Sequence, residues 1–181
     1  DIIVGKGPEA RTLRLDLPPF TLVAATTRAG LLSSPLRDRF GILSNLEFYD
    51  PESLAEILSR SAGILKIKIE ADAAWELASR SRGTPRIANR LLKRVRDVAQ
   101  VKNRDSIDLS ITQEALDLLM VNEQGLEKLD LKILEVLNKA QAGRAVGLST
   151  LAISVGEDEE TIASVYEPYL IQLGYIERTP Q

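Results

Sequence analysis

The chain has 181 residues, 44% of them apolar and 27% charged, with a net charge of −3. These values are ordinary for a globular protein and argue against a general polyanion binder. It has no cysteine and no histidine, which removes disulfides, thiolate chemistry, most zinc sites and the usual nucleophilic triads. No apolar run approaches the roughly 18 residues of a membrane span and no signal-peptide pattern occurs, so neither insertion nor secretion is indicated.

In chain order, Asp1–Val4 and Thr12–Leu17 alternate around a Gly-Lys-Gly-Pro turn, which predicts a β-hairpin with Leu13, Leu15 and Leu17 on one face. Leu22–Ala25 reads as a fully buried strand of a parallel sheet. In open α/β sheets ligands sit beyond the carboxyl ends of strands, so Thr26, Thr27 and Arg28 fall where a phosphate would lie. Ser33 and Ser34 then offer an N-cap and Pro35 suits a first helical turn, so a short helix carrying Arg37 and Arg39 follows until Gly41 stops it. Ile42–Phe48 reads as another strand.

Asp50-Pro51-Glu52 opens a helix over 51–63, with Leu54, Ile57, Leu58 and Ala62 facing inward. LKIKI at 65–69 alternates and reads as a short strand or an extended connector. A helix over 71–82 follows, and Gly83-Thr84-Pro85-Arg86 opens a long one to about Gln100, with a stripe of Ile87, Leu91, Val95 and Val98. Ser110 is the predicted cap of a helix ending at Met120. Four helices in this span make a small bundle. Asn122–Gly125 reads as a linker. Beyond it, helices at 126–140, 148–154 and 158–172 and a strand from Tyr175 describe a winged helix. Residues 51–123 carry 12 basic and 11 acidic side chains, but 124–181 carry 5 and 9, an unfavourable balance for DNA.

Three stretches then fall together. ATTR at 25–28 followed by SPLRDRFG at 34–41, RGTPRIANRLLKRVRD at 82–97, and EPYLIQLGYIERTP at 167–180 occur in this order, and the chain resembles AAA+ ATPases of the RuvB family over essentially its whole length. The resemblance implies a multidomain, mainly α fold with some β. Residues 1–49 would close an AAA+ α/β core, 50–122 form a helical lid, and 123–181 a winged helix. No GxxxxGK[ST] run occurs in the sequence, so the phosphate-cradling loop and the acidic strand end that holds magnesium would lie upstream of this chain, as part of a longer protein.

The family implies a branch-migrating, ATP-driven hexamer acting on Holliday junctions in recombination and repair. ATP or ADP and Mg2+ would be its ligands, duplex DNA and a RuvA-type junction-binding protein its partners, and the cytoplasm its place. Arg39, abutting Phe40-Gly41, takes the place of an arginine finger that reaches into the neighbouring subunit's site, with Arg37 in reserve. A guanidinium can fork onto a γ-phosphate as Lys cannot; surface pairing with Asp38 or Glu47 is the plain alternative. Thr27 takes the sensor-1 place, with Thr26 facing the other way along the strand. Arg86 takes the sensor-2 place, and a cation in a helix's first turn is unfavourable unless an anion binds there. Tyr49 corresponds to an aromatic near the adenine, and Leu13 and Leu15 to a hairpin that docks on the junction-binding partner. Arg178 begins the family's basic wing motif, in which Gln181 replaces the next arginine. Arg90, Lys93, Arg94, Arg96 and Lys102 read first as the wet face of their helix. Two other classes stay open: a DNA-binding regulator with an AAA+ oligomerisation remnant, and a clamp-loader relative.

Overall fold

The computed structural model describes residues 2–4, 11–13, 16–27, 29–140 and 144–179, of which 2–4 and 11–13 as strand backbone. Two units are distinguished, 1–45 and 46–181.

In the first unit, β1 (Ile2–Val4) and β2 (Arg11–Leu13) pair antiparallel in the register Ile2 to Leu13 and Val4 to Arg11. This pairing is that of the expected hairpin; its turn and residues 14–15 of the expected second strand lie outside the described residues. A 3-10 turn at Ala29–Leu31 precedes α1 (Ser34–Arg37), a single turn with Pro35 in its first positions. The buried strand expected at Leu22–Ala25 is not formed. Residues 16–26 have no regular structure, and Phe20, Leu22 and Val23 are exposed. A central parallel strand needs a partner on each side, and the described strands of this unit pair only with each other. The strand expected at Ile42–Phe48 is absent for the same reason, and Leu46 is 94% exposed.

The second unit is mainly helical. Its first bundle comprises α2 (Pro51–Ile64), α3 (Ala71–Ser79), α4 (Pro85–Val101) and α5 (Leu109–Leu118). Asp50 caps α2 by accepting the Ser53 N–H at 2.7 Å. For α5 the cap is Asp108, which accepts from the Ile111 N–H at 2.8 Å, and not the expected Ser110; an Asp just outside the helix frees its first amides from pairing with water alone. β3 (Lys68–Ile69) lies parallel to β4 (Ser106–Ile107), so the alternating LKIKI run is a two-residue strand tying the bundle's halves together. Leu54, Leu58, Leu77, Leu91, Leu92, Val95 and Leu116 form the core, each Leu or Val contributing about 1.5–3 kcal/mol by burial. Lys66, Asn103 and Met120 take left-handed φ after α2, α4 and α5. At each of these ends two backbone bonds close a Schellman turn, as in Lys66 N–H to Gly63 O and Ile67 N–H to Ala62 O.

The second bundle comprises α6 (Lys128–Lys139), α7 (Leu148–Val155), α8 (Glu159–Thr161) and α9 (Glu167–Gln172). A π turn over Ile162–Tyr166 joins α8 to α9. The helix expected over 158–172 is therefore continuous in course but widened in its middle. Pro168 has no N–H to give the Ser164 carbonyl, and a wider turn accommodates that loss. Leu126, Ile133, Leu151, Val155, Ile162 and Leu170 form a core of their own. The strand expected from Tyr175 is not formed: Tyr175 lies in a bend and residues 176–179 have no regular structure. Residues 122–125 are no loose linker: the Asn122 carboxamide oxygen accepts from the Gln124 and Leu126 N–H groups at 3.0 and 2.8 Å. A Cβ on Gly125 (φ +72) would lie 2.6 Å from the Arg80 carbonyl oxygen, so this turn is pressed against the end of α3. No helix among the described residues is long and apolar enough to cross a membrane.

Candidate functional site

The segment Ser81-Arg82-Gly83-Thr84-Pro85-Arg86 joins α3 to α4 and is the centre of the second unit's polar architecture. Its carboxyl end starts a helix with Pro85 in the first turn, no acidic residue there, and no side-chain cap; the Thr84 hydroxyl donates to the Ser81 carbonyl. Unpaired amides and the positive end of the helix macrodipole make that end receptive to an anion. Arg86 is exposed beside it and borders a groove of about 450 Å³ lined with Asn89, Arg90, Lys93, Arg94, Arg96 and Asp97. Arg90 pairs with Glu127, Arg94 and Arg96 with Asp97, and Lys102 with Glu114. Arg86 and Lys93 have no ion pair among the described residues. This inventory of donors fits a polyphosphate.

Tyr49 is half exposed, and its backbone N–H donates to the Gly83 carbonyl at 2.8 Å. A Cβ on Gly83, which has φ +65, would come within 2.7 Å of the Phe48 Cβ. The structure thus brings the Phe48-Tyr49 backbone to the turn that leads into Arg86. Thr27 and Arg39 belong to the first unit, where both are exposed. Among the described residues Arg39 does not pair with Asp38. Leu13 ends β2, but its side chain, like all of Leu15, lies outside the described residues. Arg178 is held by Glu167, its Nε donating to Oε2 at 2.9 Å and its terminal nitrogen to the same oxygen.

Sequence reasoning missed the amino end of the same turn. Arg82 is 6% exposed and Asp130, on α6, is fully buried. The Arg82 Nε donates to the Gly125 carbonyl at 2.8 Å, one terminal nitrogen to Asp130 Oδ1 at 3.4 Å and the other to Oδ2. Asp130 Oδ2 also accepts the Glu127 N–H at 2.7 Å. The guanidinium lies over the Tyr169 ring, 5.0 Å from its centroid, and the Tyr169 hydroxyl donates to the Gln124 carbonyl at 2.7 Å. Burial pushes the Tyr169 phenol above its ordinary pKa, with the guanidinium pulling the other way. The two bundles have separate apolar cores, and this ionic seam joins them. Deleting one partner of such a pair strands the other charge in the interior, at a cost of about 3–5 kcal/mol. The sequence does hold one signal: an Asp three residues after Glu127 at the head of an amphipathic helix, the spacing of a reciprocal cap.

Comparison with known proteins accounts for nearly every residue. Residues 1–46 match the Holliday junction DNA helicase RuvB P-loop domain, 49–122 the RuvB AAA lid domain, and 123–181 the RuvB C-terminal winged helix domain. Among solved structures, the Thermotoga maritima RuvB Holliday junction branch migration motor is 50% identical. That match covers 90% of this chain and 54% of that one, with a TM-score of 0.80. A point mutant of the same Thermotoga maritima protein is 50% identical over 91% of this chain and 55% of that one, with a TM-score of 0.81. This chain spans about half the length of those structures. With three successive domains of the family and half of the aligned residues identical to a solved member, the chain belongs to the RuvB family.

Proposed function

We propose that the chain is the sensor, lid and DNA-binding part of an ATP-driven motor that moves duplex DNA and migrates Holliday junctions in recombination and repair. The observation that carries this reading is the 50% identity, over 90% of the chain, to a protein named as a branch migration motor. The full-length protein would work in the cytoplasm as a ring of six, with ATP and Mg2+ bound chiefly by residues upstream of this chain. Thr27 would orient the attacking water or touch the γ-phosphate, and Arg39 would serve the neighbouring subunit's nucleotide. Arg86 would contact the nucleotide of its own subunit, with Tyr49 near the adenine. Such placement supplies electrostatic stabilisation to a transferring phosphoryl group, the dominant need of that chemistry.

On the DNA side, Arg178 would meet a backbone phosphate, and the hairpin face with Leu13 and Leu15 would dock on a RuvA-type partner. Phosphate contacts position a protein without reading sequence, which suits a motor that must pass over any base pair. Full-length protein should release phosphate from ATP faster when four-way junction DNA is present, on junctions of unrelated sequence alike. Turnover indifferent to junction DNA would overturn the reading.

A further inference from the structure

Three of the four non-glycine residues with left-handed φ among the described residues close Schellman turns, and Arg82 does not. At φ 54 it stands one place beyond the position that closes α3. The Leu77 carbonyl, which a Schellman closure would satisfy from the Arg82 amide, is taken instead by the buried Ser81 hydroxyl. The left-handed backbone of Arg82 therefore serves something other than a helix end. It aims a buried guanidinium across the seam, where three donors are fixed on two acceptor groups, Gly125 and Asp130, of the next bundle. A left-handed non-glycine residue persists where its surroundings over-determine it, and such sites cluster at functional places.

The same turn holds Tyr49 at Gly83 and starts the helix of Arg86. Only three residues separate Arg82 from Arg86; between them Pro85 has a fixed φ and Gly83 is packed closely against Phe48. We propose that Arg82 is a positioning residue that fixes the winged-helix bundle in one orientation on the lid, so that a displacement of the Arg86 turn is delivered to the DNA-binding end. The role in delivery rests on the motor reading above; the fixing of orientation does not.

The absence of native cysteine allows a clean measurement. Spin labels at Ser59→Cys on α2 and Ser149→Cys on α7, both exposed, report the distance between the bundles by dipolar spectroscopy. The parent should give one narrow distribution. Arg82→Lys keeps the charge but cannot hold both acceptors in a fixed fork, and should broaden the distribution beyond the parental width, the freedom expected of bundles with separate cores. The double variant Arg82→Met, Asp130→Leu replaces the pair by apolar groups, a change often neutral for stability. It should retain amide protection at Leu92 and Ile133 and still broaden. A folded variant as narrow as the parent overturns the proposal.

In full-length protein, Arg82→Lys should raise the ATP consumed per unit of junction moved. An unchanged ratio overturns the delivery role. A parent protein that moves no junction is a failure of the motor reading alone and leaves the distance result standing.

Discussion

The backbone N–H of Tyr49 meets the Gly83 carbonyl at 2.8 Å, where a Cβ on Gly83 would press within 2.7 Å of the Phe48 Cβ. The entry to the lid and the turn before Arg86 are thereby one structural element. Gly83→Ala should destabilise the second unit by about 1–3 kcal/mol, from left-handed strain and crowding together. Urea unfolding followed by the fluorescence of Trp75 on α3 measures it, and a midpoint equal to the parent's would refute the close approach.

Arg178 and Glu167 define a second expectation. With its guanidinium held by a carboxylate, Arg178 must share or leave that partner to reach a phosphate. Glu167→Gln should therefore tighten duplex binding and Arg178→Ala weaken it, each equally on unrelated sequences. With one or two phosphates neutralised, log affinity should fall against log salt with a slope of about −1 to −2. An anisotropy titration on two duplexes decides; preference for one duplex that survives high salt would favour a sequence-specific regulator.

Two helix starts should respond to acid. Asp50 is held below the usual carboxylate range first by the backbone N–H of Ser53, and Asp158 first by the Thr161 side chain and then its N–H. Both folded-state values are depressed, so their contribution is present above the unfolded value of about 3.9 and is lost as pH falls through the lower folded values. The Ser53 and Thr161 amide resonances should shift as the carboxylates protonate, with midpoints below the unfolded value of about 3.9. Midpoints at or above the unfolded value would show that the caps contribute nothing.

Arg39→Ala in the full-length protein should abolish turnover while sparing nucleotide binding, since arginine fingers elsewhere contribute about 10³–10⁵-fold in rate. Mixed rings of this variant with a P-loop variant should recover part of the hydrolysis. Mixed rings without recovery would place Arg39 outside any neighbouring site. The 181-residue chain by itself, with no GxxxxGK[ST] run, should release no phosphate above a blank.

Helices with a regular apolar stripe are legible because burial follows period: Leu54, Leu58 and Ala62 on α2, and Leu91 and Val95 on α4, are buried as their spacing predicts, while Ile57, Ile87 and Val98 are only half-buried and Ala88, Leu92 and Ala99, beside the expected stripe, are fully buried. The runs at 22–25 and 42–48 were misread because an apolar β-favouring segment specifies a strand only when neighbours supply the ladder. Tyr175–Arg178 fails in the same way. The family resemblance singles out Arg86 and Tyr49 separately; that the Tyr49 backbone meets the turn before Arg86 is visible only in the structure. Periodicity could not show the Arg82–Asp130 seam, because a charge in a turn and an Asp in a first helical turn both read as solvated until tertiary structure buries them against each other.

The motor reading is tested most directly by following a synthetic four-way junction, labelled on two arms, with full-length protein and ATP. The arms should separate only when ATP and Mg2+ are present, and Arg86→Ala should hold the junction as tightly as the parent while separating the arms far more slowly. Tight junction binding with no ATP-dependent movement by the parent would contradict the account.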